Sequence, residues 1–375
     1  MKNNLSIKEI VALCVIVVLC IVIALIPNRF HESDDLQSEQ VKAIVLKVDD
    51  SQILETGIIK TGSQQLQIKI RSGKFKNKIL KASNQLVGRM EFDKYFTEGD
   101  KALVVLNLNE SGNEIISANV IDHYRIHMET ILLLIFVALL IGFAGWTGLK
   151  AMLSFVFAGI VIWKLLLPGF LLGYSPILLA IGVIALLTCV IIFLVAGFNR
   201  KGMVAFLGAM SGVGITCVMA LLFGQLFHIH GAIKPFAETL LYSGYNYLNL
   251  TEIFLAGVFI SSSGAVMDIA MDIAASQAEV VQQNKSISKK QLRISGFAVG
   301  KTVVGTMTTT LLLAYSGGFS ALLMVFIAQG TPVTNMLNLN YVSGEILQIL
   351  VGSFGLVLVA PFTAIIGSWI YTKGN

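Results

Sequence analysis

Two hydrophobic rhythms divide the chain. Between residues 28 and 125, apolar and polar positions alternate in short runs: "VKAIVLKV" (41–48), "QLQIKIR" (65–71), "ALVVLNLN" (102–109) and "EIISANVID" (114–122). A period of two, with Gly, Asn and Asp between the runs, predicts a small all-β domain, a sandwich or a barrel. After Glu129 the alternation gives way to apolar stretches at 130–145, 151–167, 176–198, 203–227, 251–270, 295–315 and 346–371, and an earlier one runs from Ile10 to Ile26. A helix needs ~20 residues to cross a bilayer, so the shortest stretches borrow flanking residues. The run "FSALLMVFIAQG" (319–330) is too short for a span and suits a re-entrant segment.

The expected architecture is a membrane all-α polytopic bundle of about eight transmembrane helices with a small extracytoplasmic all-β domain. Residues 1–27 would form an N-terminal signal anchor helix, 28–125 the β domain and 126–375 the polytopic part; a ninth span at 319–340 is the alternative to a re-entrant segment. The first apolar run follows Lys2 and Lys8 and ends in "IALIPNRF", without the short core and small-residue cleavage site of a removed signal peptide.

Composition agrees with the bilayer. The chain is 55% hydrophobic and 13% charged, where soluble domains are about 25% charged, and its mean hydropathy is +0.78. The β segment holds 14 basic and 14 acidic residues, leaving 27 − 14 = 13 basic and 22 − 14 = 8 acidic elsewhere, which gives the whole net charge of +5. The excess is therefore a topology signal and no sign of a nucleic-acid partner. With the N-terminus cytoplasmic, Lys150, Arg200, Lys201, Lys285, Lys289, Lys290 and Arg293 fall inside, Lys234 is left in an outer loop, and the β domain lies outside. Lys373 inside makes the number of spans even.

Few residues invite chemistry. Cys14, Cys20, Cys189 and Cys217 lie in apolar runs without metal spacing and read as buried structural residues. His31 and His123 are isolated, and "HIHG" (228–231) lacks a third ligand. No phosphate-binding, dinucleotide-binding or zinc-protease motif is present, so the expectation is no catalytic residue, no metal and no cofactor. Glu345 reads as the start of the last span and Lys164 as a snorkelling residue near the outer surface.

The stretch "SSSGAVMDIAMDIAASQAEVV" (261–281) stands out. Asp268 and Asp272 are one helical turn apart, ~6 Å along the axis, with Glu279 near the same stripe and Val266, Ile269, Ala270, Ile273 and Ala274 opposite. The stripe is either the wet face of an amphipathic helix or the lining of a cavity for a cation, proton or polar solute. Three serines and Gly264 make a break there credible. In the next span Gly296, Gly300 and Gly305 offer small positions for close approach. Lys301 either snorkels or pairs with Asp268. Thr306, Thr308, Thr309 and Thr310 either line a polar path or bond to their own backbone. From Lys69 to Arg89 the β domain carries seven basic residues and no acid. Lys74, Lys76, Lys78 and Lys81 are its centre, either a solvated face or a patch for an anionic surface or polymer.

"GAVMDIAMDIAAS", then "SGFAVGKTVVGTMTTTLLLAYSGG", then "GEILQILVGSFGLVLVAPFTAIIG" resemble, in that order, the YibE/F-like family of bacterial membrane proteins. The resemblance spans roughly 130–375, and "VGRMEFDKYFTEGDKALVVL" resembles the family's N-terminal region. It implies a multispanning fold in a bacterial plasma membrane, and it implies no reaction. Asp268 matches the aspartate of the family's motif, whereas Asp272 stands at a small hydroxyl position. Lys301-Thr302 replaces Arg-Asp, and Thr308-Thr309-Thr310 replaces Thr-Asn-Thr. The functional expectation is a non-enzymatic transporter or permease-like component, with Asp268, Asp272, Lys301, Thr308 and Thr309 as pathway candidates and Gly264, Gly296, Gly300 and Gly305 as packing or hinge positions. The alternative is an assembly or envelope-maintenance factor whose β domain binds a partner or anionic polymer. Expected partners are the lipid bilayer and either a second membrane protein or another copy of the chain.

Overall fold

The alternating segment forms five strands: β1 (Ser38–Thr56), β2 (Ile59–Ile70), β3 (Ile79–Val87), β4 (Lys101–Leu108) and β5 (Ile115–His123). They close into a barrel in the order β1-β2-β3-β5-β4. β1 pairs antiparallel with both β2 and β4, and β3 meets β5 in parallel. A closed five-stranded barrel of this kind leaves no free edge, and it is the architecture of OB-folds. The inward positions are Val41, Ala43 and Val45 on β1, Leu66, Ile68 and Ile70 on β2, and Ala102, Val104 and Leu106 on β4. β3 has no counterpart among the alternating runs. Its inward residues include Asn84, which interrupts the apolar period.

The barrel's buried polar groups are satisfied. Gln64 Oε1 accepts from the Phe96 N–H (3.0 Å) and from Asn84 Nδ2 (3.1 Å), while its Nε2 donates to the Phe96 carbonyl and to Asp50 (2.9 Å each). This ties the β3–β4 connection across the barrel and seats Phe96 in the core.

The computed structural model describes residues 7–27 and 38–372; Lys2, His31 and Lys373 lie outside them. Two compact units result, Arg29–Gly142 and the pair of segments Met1–Asn28 and Phe143–Asn375. The helices are α1 (Ile7–Ala24), α2 (Ile126–Val161), α3 (Leu167–Leu171), α4 (Pro176–Ala196), α5 (Arg200–Leu226), α6 (Ala237–Tyr242), α7 (Leu250–Gln283), α8 (Lys289–Ala328), α9 (Val333–Asn338) and α10 (Asn340–Thr372). A π-turn at Ile162–Leu166 joins α2 to α3. Asn199 caps α5, Asn249 caps α7, and Ser288 with Gln291 forms a capping box on α8, each supplying orphan N–H groups with an acceptor.

Among the described residues six helical runs are long and apolar enough to cross a membrane, and α1 has a shorter apolar stretch, Ile10–Ala24. The expected spans at 130–145 and 151–167 lie within one apolar run, Ile126–Leu171, and fall on the two helical pieces on either side of a break at Gly145, where φ is 54° and ψ is −123°. Only glycine adopts that conformation without strain. The expected re-entrant segment at 319–330 is corrected: through Ala328 it is the last three turns of α8. Of the cysteines, Cys20 and Cys217 are buried, Cys189 is half-buried and Cys14 faces outward.

Candidate functional site

α7 runs unbroken through the three serines. Ser261, Ser262 and Ser263 donate to the carbonyls of Val258, Phe259 and Ile260 at 2.8, 3.3 and 2.7 Å, so the hydroxyls are satisfied on the helix itself. The expected hinge at Gly264 is absent, and a side chain there would meet open space.

The acidic stripe lies on one face. Asp268, Asp272 and Glu279 are exposed, as are Ser261 and Gly264 on the same side. The opposite face, with Val266, Ile269, Ala270, Ile273, Ala274 and Gln277, is fully buried. Along α7, Ser261 lies ~16 Å from the helix start, Asp268 ~27 Å and Asp272 ~33 Å. Among the described residues neither aspartate makes an ion pair or hydrogen bond with another side chain.

α8 presents its candidates to a different side. Gly300 packs against Ala360 of α10 (3.0 Å from the position of an added Cβ) and Ile273 of α7 (3.3 Å); Gly296 packs against Ala364 (2.8 Å) and Gln277. Lys301 opens onto a cavity of about 310 Å³ with Phe297, Val304, Val357 and Pro361. Of the two readings of Lys301, the pairing with Asp268 does not occur, because α8 meets the face of α7 that carries Ile273 and Gln277. Thr308 is exposed and donates to the Val304 carbonyl (2.6 Å); Thr309 is exposed as well. Gly305 faces open space and is no packing position within this chain.

Sequence reasoning missed the most connected polar group. Lys234, in the segment between α5 and α7, forms an ion pair with Glu345 of α10 and donates to Gln348 Oε1 at 3.1 Å. Gln348 Nε2 in turn donates to Ser261 Oγ at 3.3 Å. Glu345 and Gln348 are buried, one turn apart on α10. Lys234 also lies 5.4 Å from the centre of the Phe254 ring and lines a cavity of about 270 Å³ with Phe319, Leu322 and Tyr341. Glu345, expected to start the last span, lies instead in the second turn of α10 and binds Lys234. The available signal was the isolation of Lys234 and Glu345 in apolar surroundings, where opposite charges are expected to find each other.

A second buried polar group is a lock. Gln277 Nε2 donates to the carbonyls of Leu292 (3.1 Å) and Ala364 (3.0 Å), tying α7 to α8 and α10. Tyr371 donates to the Ala274 carbonyl at 2.9 Å. On the barrel, Lys74, Lys76, Lys78 and Lys81 are exposed, three of them in the β2–β3 connection, and Lys78 lies 4.8 Å from the centre of the Phe75 ring. Among the described residues no His, Cys, Asp and Glu side chains cluster as a metal site would require.

Long apolar helices locked by small residues and buried amides, with a separately closed β-barrel, define the class: a membrane protein with a small barrel domain. The family model for YibE/F-like protein matches residues 132–373, and that for the YibE/F family N-terminal domain matches residues 32–123. The chain belongs to the YibE/F-like family. No curated protein matches the chain, and no solved structure does.

Proposed function

We propose that the protein is a non-enzymatic transporter or permease-like component of a bacterial plasma membrane, in which a cation, proton or small polar solute moves along the polar face of α7. The observation that carries this reading is the chain Lys234–Glu345–Gln348–Ser261, which ends on the helix face that bears Asp268 and Asp272. A carboxylate facing hydrocarbon costs several kcal/mol, so two in succession call for water or a second polypeptide beside them. The N-terminus is cytoplasmic and the barrel outside in this reading. Supporting it, the break at Gly145 lets the 126–171 run supply two crossings, for eight in all, with Arg200, Lys201, Lys285, Lys289, Lys290 and Arg293 on the cytoplasmic side.

The test is thiol accessibility in intact cells. With the four native cysteines replaced, single cysteines at 261, 264, 268 and 272 should all react with small impermeant reagents, and one at 269 should not. The reading fails if 264 and 268 resist from outside while 272 reacts only from the cytoplasm, since the stripe is then the wet end of an amphipathic helix.

One observation favours a second reading, an envelope factor that works through its barrel. Arg71, Lys74, Lys76 and Lys78 gather on the β2–β3 connection, and barrels of this architecture bind oligomers beside strands 2 and 3. An anionic polymer is the ligand this charge fits.

A further inference from the structure

The barrel has two chemically different ends, and strand direction says which is which. β2 runs antiparallel to β1 and β3, β4 runs antiparallel to β1 and β5, and β3 is parallel to β5. The C-terminal ends of β1, β3 and β5 therefore share one end of the barrel. That end carries the β1–β2 hairpin, the turn after Val87 and the start of α2, which follows β5 directly. The pairing of Ser83 with Asn119 sets Val87 and His123, each four residues further on, at the same level. Asp122 meets Lys94 of the β3–β4 connection at 3.8 Å and Arg125 at 2.8 Å.

Apolar side chains protrude at this end. Ile58 is 81% exposed, Leu54 71%, Met90 70% and Val87 65%. They are held there rather than left loose. Gly57, at φ 63°, makes the tight turn that sets Ile58 at the hairpin tip. Asp93 accepts from the N–H groups of Val87 (2.9 Å), Gly88 (2.7 Å) and Arg89 (2.9 Å), which fixes the turn between Val87 and Met90. The charges around them are internally balanced, Lys60 with Glu55 at 2.9 Å and Arg89 with Glu91 at 3.7 Å. The opposite end holds the β2–β3 connection with its lysines; there Ile79 and Ile116 are exposed, fewer than the four large apolar side chains at the first end. A contiguous exposed apolar patch marks a membrane or protein contact; single residues do not.

We propose that the end of the barrel around Leu54, Ile58, Val87 and Met90 dips into the interfacial layer of the bilayer in which α2 is rooted. The occupant follows from α2. It leaves from this same end and exposes Ile126, Met128, Ile131 and Leu132 within its first two turns, so hydrocarbon begins within a helical turn or two of the barrel. The contact is apolar and locally neutral, so it needs neither anionic lipid nor low salt. The basic end then points away from the membrane, toward whatever the lysines bind.

The experiment uses the full chain in phosphatidylcholine vesicles, its native cysteines replaced, with a nitroxide attached through a cysteine at Ile58 or at Met90, and a control at Lys76. Oxygen concentrates in lipid and a neutral nickel chelate stays in water. At 58 and 90 collisions with oxygen should dominate, at 76 collisions with nickel, and raising the salt should change neither ratio. Nickel collisions at 58 and 90 equal to those at 76 would mean a solvated tip and would overturn the proposal. Shielding from both reagents would also overturn it, because protein then covers the patch.

Discussion

The barrel is held together by its large apolar side chains, the helical unit also by close approaches at glycines and by buried polar bonds. In the barrel, large apolar residues such as Phe96, Leu66, Ile68 and Ile70 fill the interior, and transfer out of water drives their burial. Among the helices the tightest approaches are at glycines. An added Cβ at Gly212 of α5 would lie 2.7 Å from Val266 and 2.9 Å from Val359; one at Gly355 of α10 would collide with Thr216, and one at Gly208 with Thr363. Lipid is as apolar as leucine, so helices in a bilayer gain little from apolar burial as such and associate through close backbone approach and buried polar bonds. The two units thus answer two solvents, and each should fail under a different kind of substitution.

The strongest break is a deletion in the barrel. Phe96→Ala should cost the barrel about 3–5 kcal/mol, read as a shift in its denaturation midpoint, because the removed ring leaves a cavity beside Gln64 and His123. The helical unit should instead fail on addition. Gly355→Val should lower thermal stability in detergent by about 1–3 kcal/mol, since Thr216 is buried and bonded to the Gly212 carbonyl and has little room to yield. Gly305→Val, in open space, should stay within about 0.5 kcal/mol. Equal losses at the two glycines would mean that Gly305 is covered in the membrane, by lipid packing or by another polypeptide.

The smallest effect concerns pH and the barrel alone. Tyr95 donates its hydroxyl to Asp50; that bond, with some burial, raises the phenol above its ordinary 10.0. A raised value means the stabilisation is complete below 10.0 and is lost as the pH rises through the shifted value. Wild-type barrel should therefore lose stability more steeply than Tyr95→Phe as the pH rises above about 10. Identical slopes would show that the Tyr95–Asp50 bond contributes nothing in water.

Much of this could be read along the chain, for physical reasons that act locally. A period of two marks a strand with one face in a core, and β1, β2, β4 and β5 each cover one of the alternating runs to within a residue. β3 escaped because its inward position 84 is an asparagine, whose burial is possible only once Gln64 stands opposite it. The acidic stripe of α7 and its apolar reverse were legible because i, i+4 spacing fixes a helix face whatever surrounds it. The supposed hinge at Gly264 and the supposed partner of Lys301 were not legible, since both depend on what neighbouring elements do.

What the sequence by itself determined is the apportioning of the chain between water and lipid: where alternation ends, where apolar runs begin, and which helix face is acidic. These follow from the periodicity of single elements. What only the tertiary structure decided are the relations between elements far apart in sequence. Lys234 finds Glu345 over a separation of 111 residues, and Gln348 reaches Ser261 over 87. Gln277 locks onto Ala364, and the parallel meeting of β3 and β5 gathers the apolar tips at the barrel end from which α2 departs. No local pattern encodes such pairings. They arise because a buried polar or charged group left without a partner is costly once its water is removed, and which partner it meets depends on how the helices and strands come together.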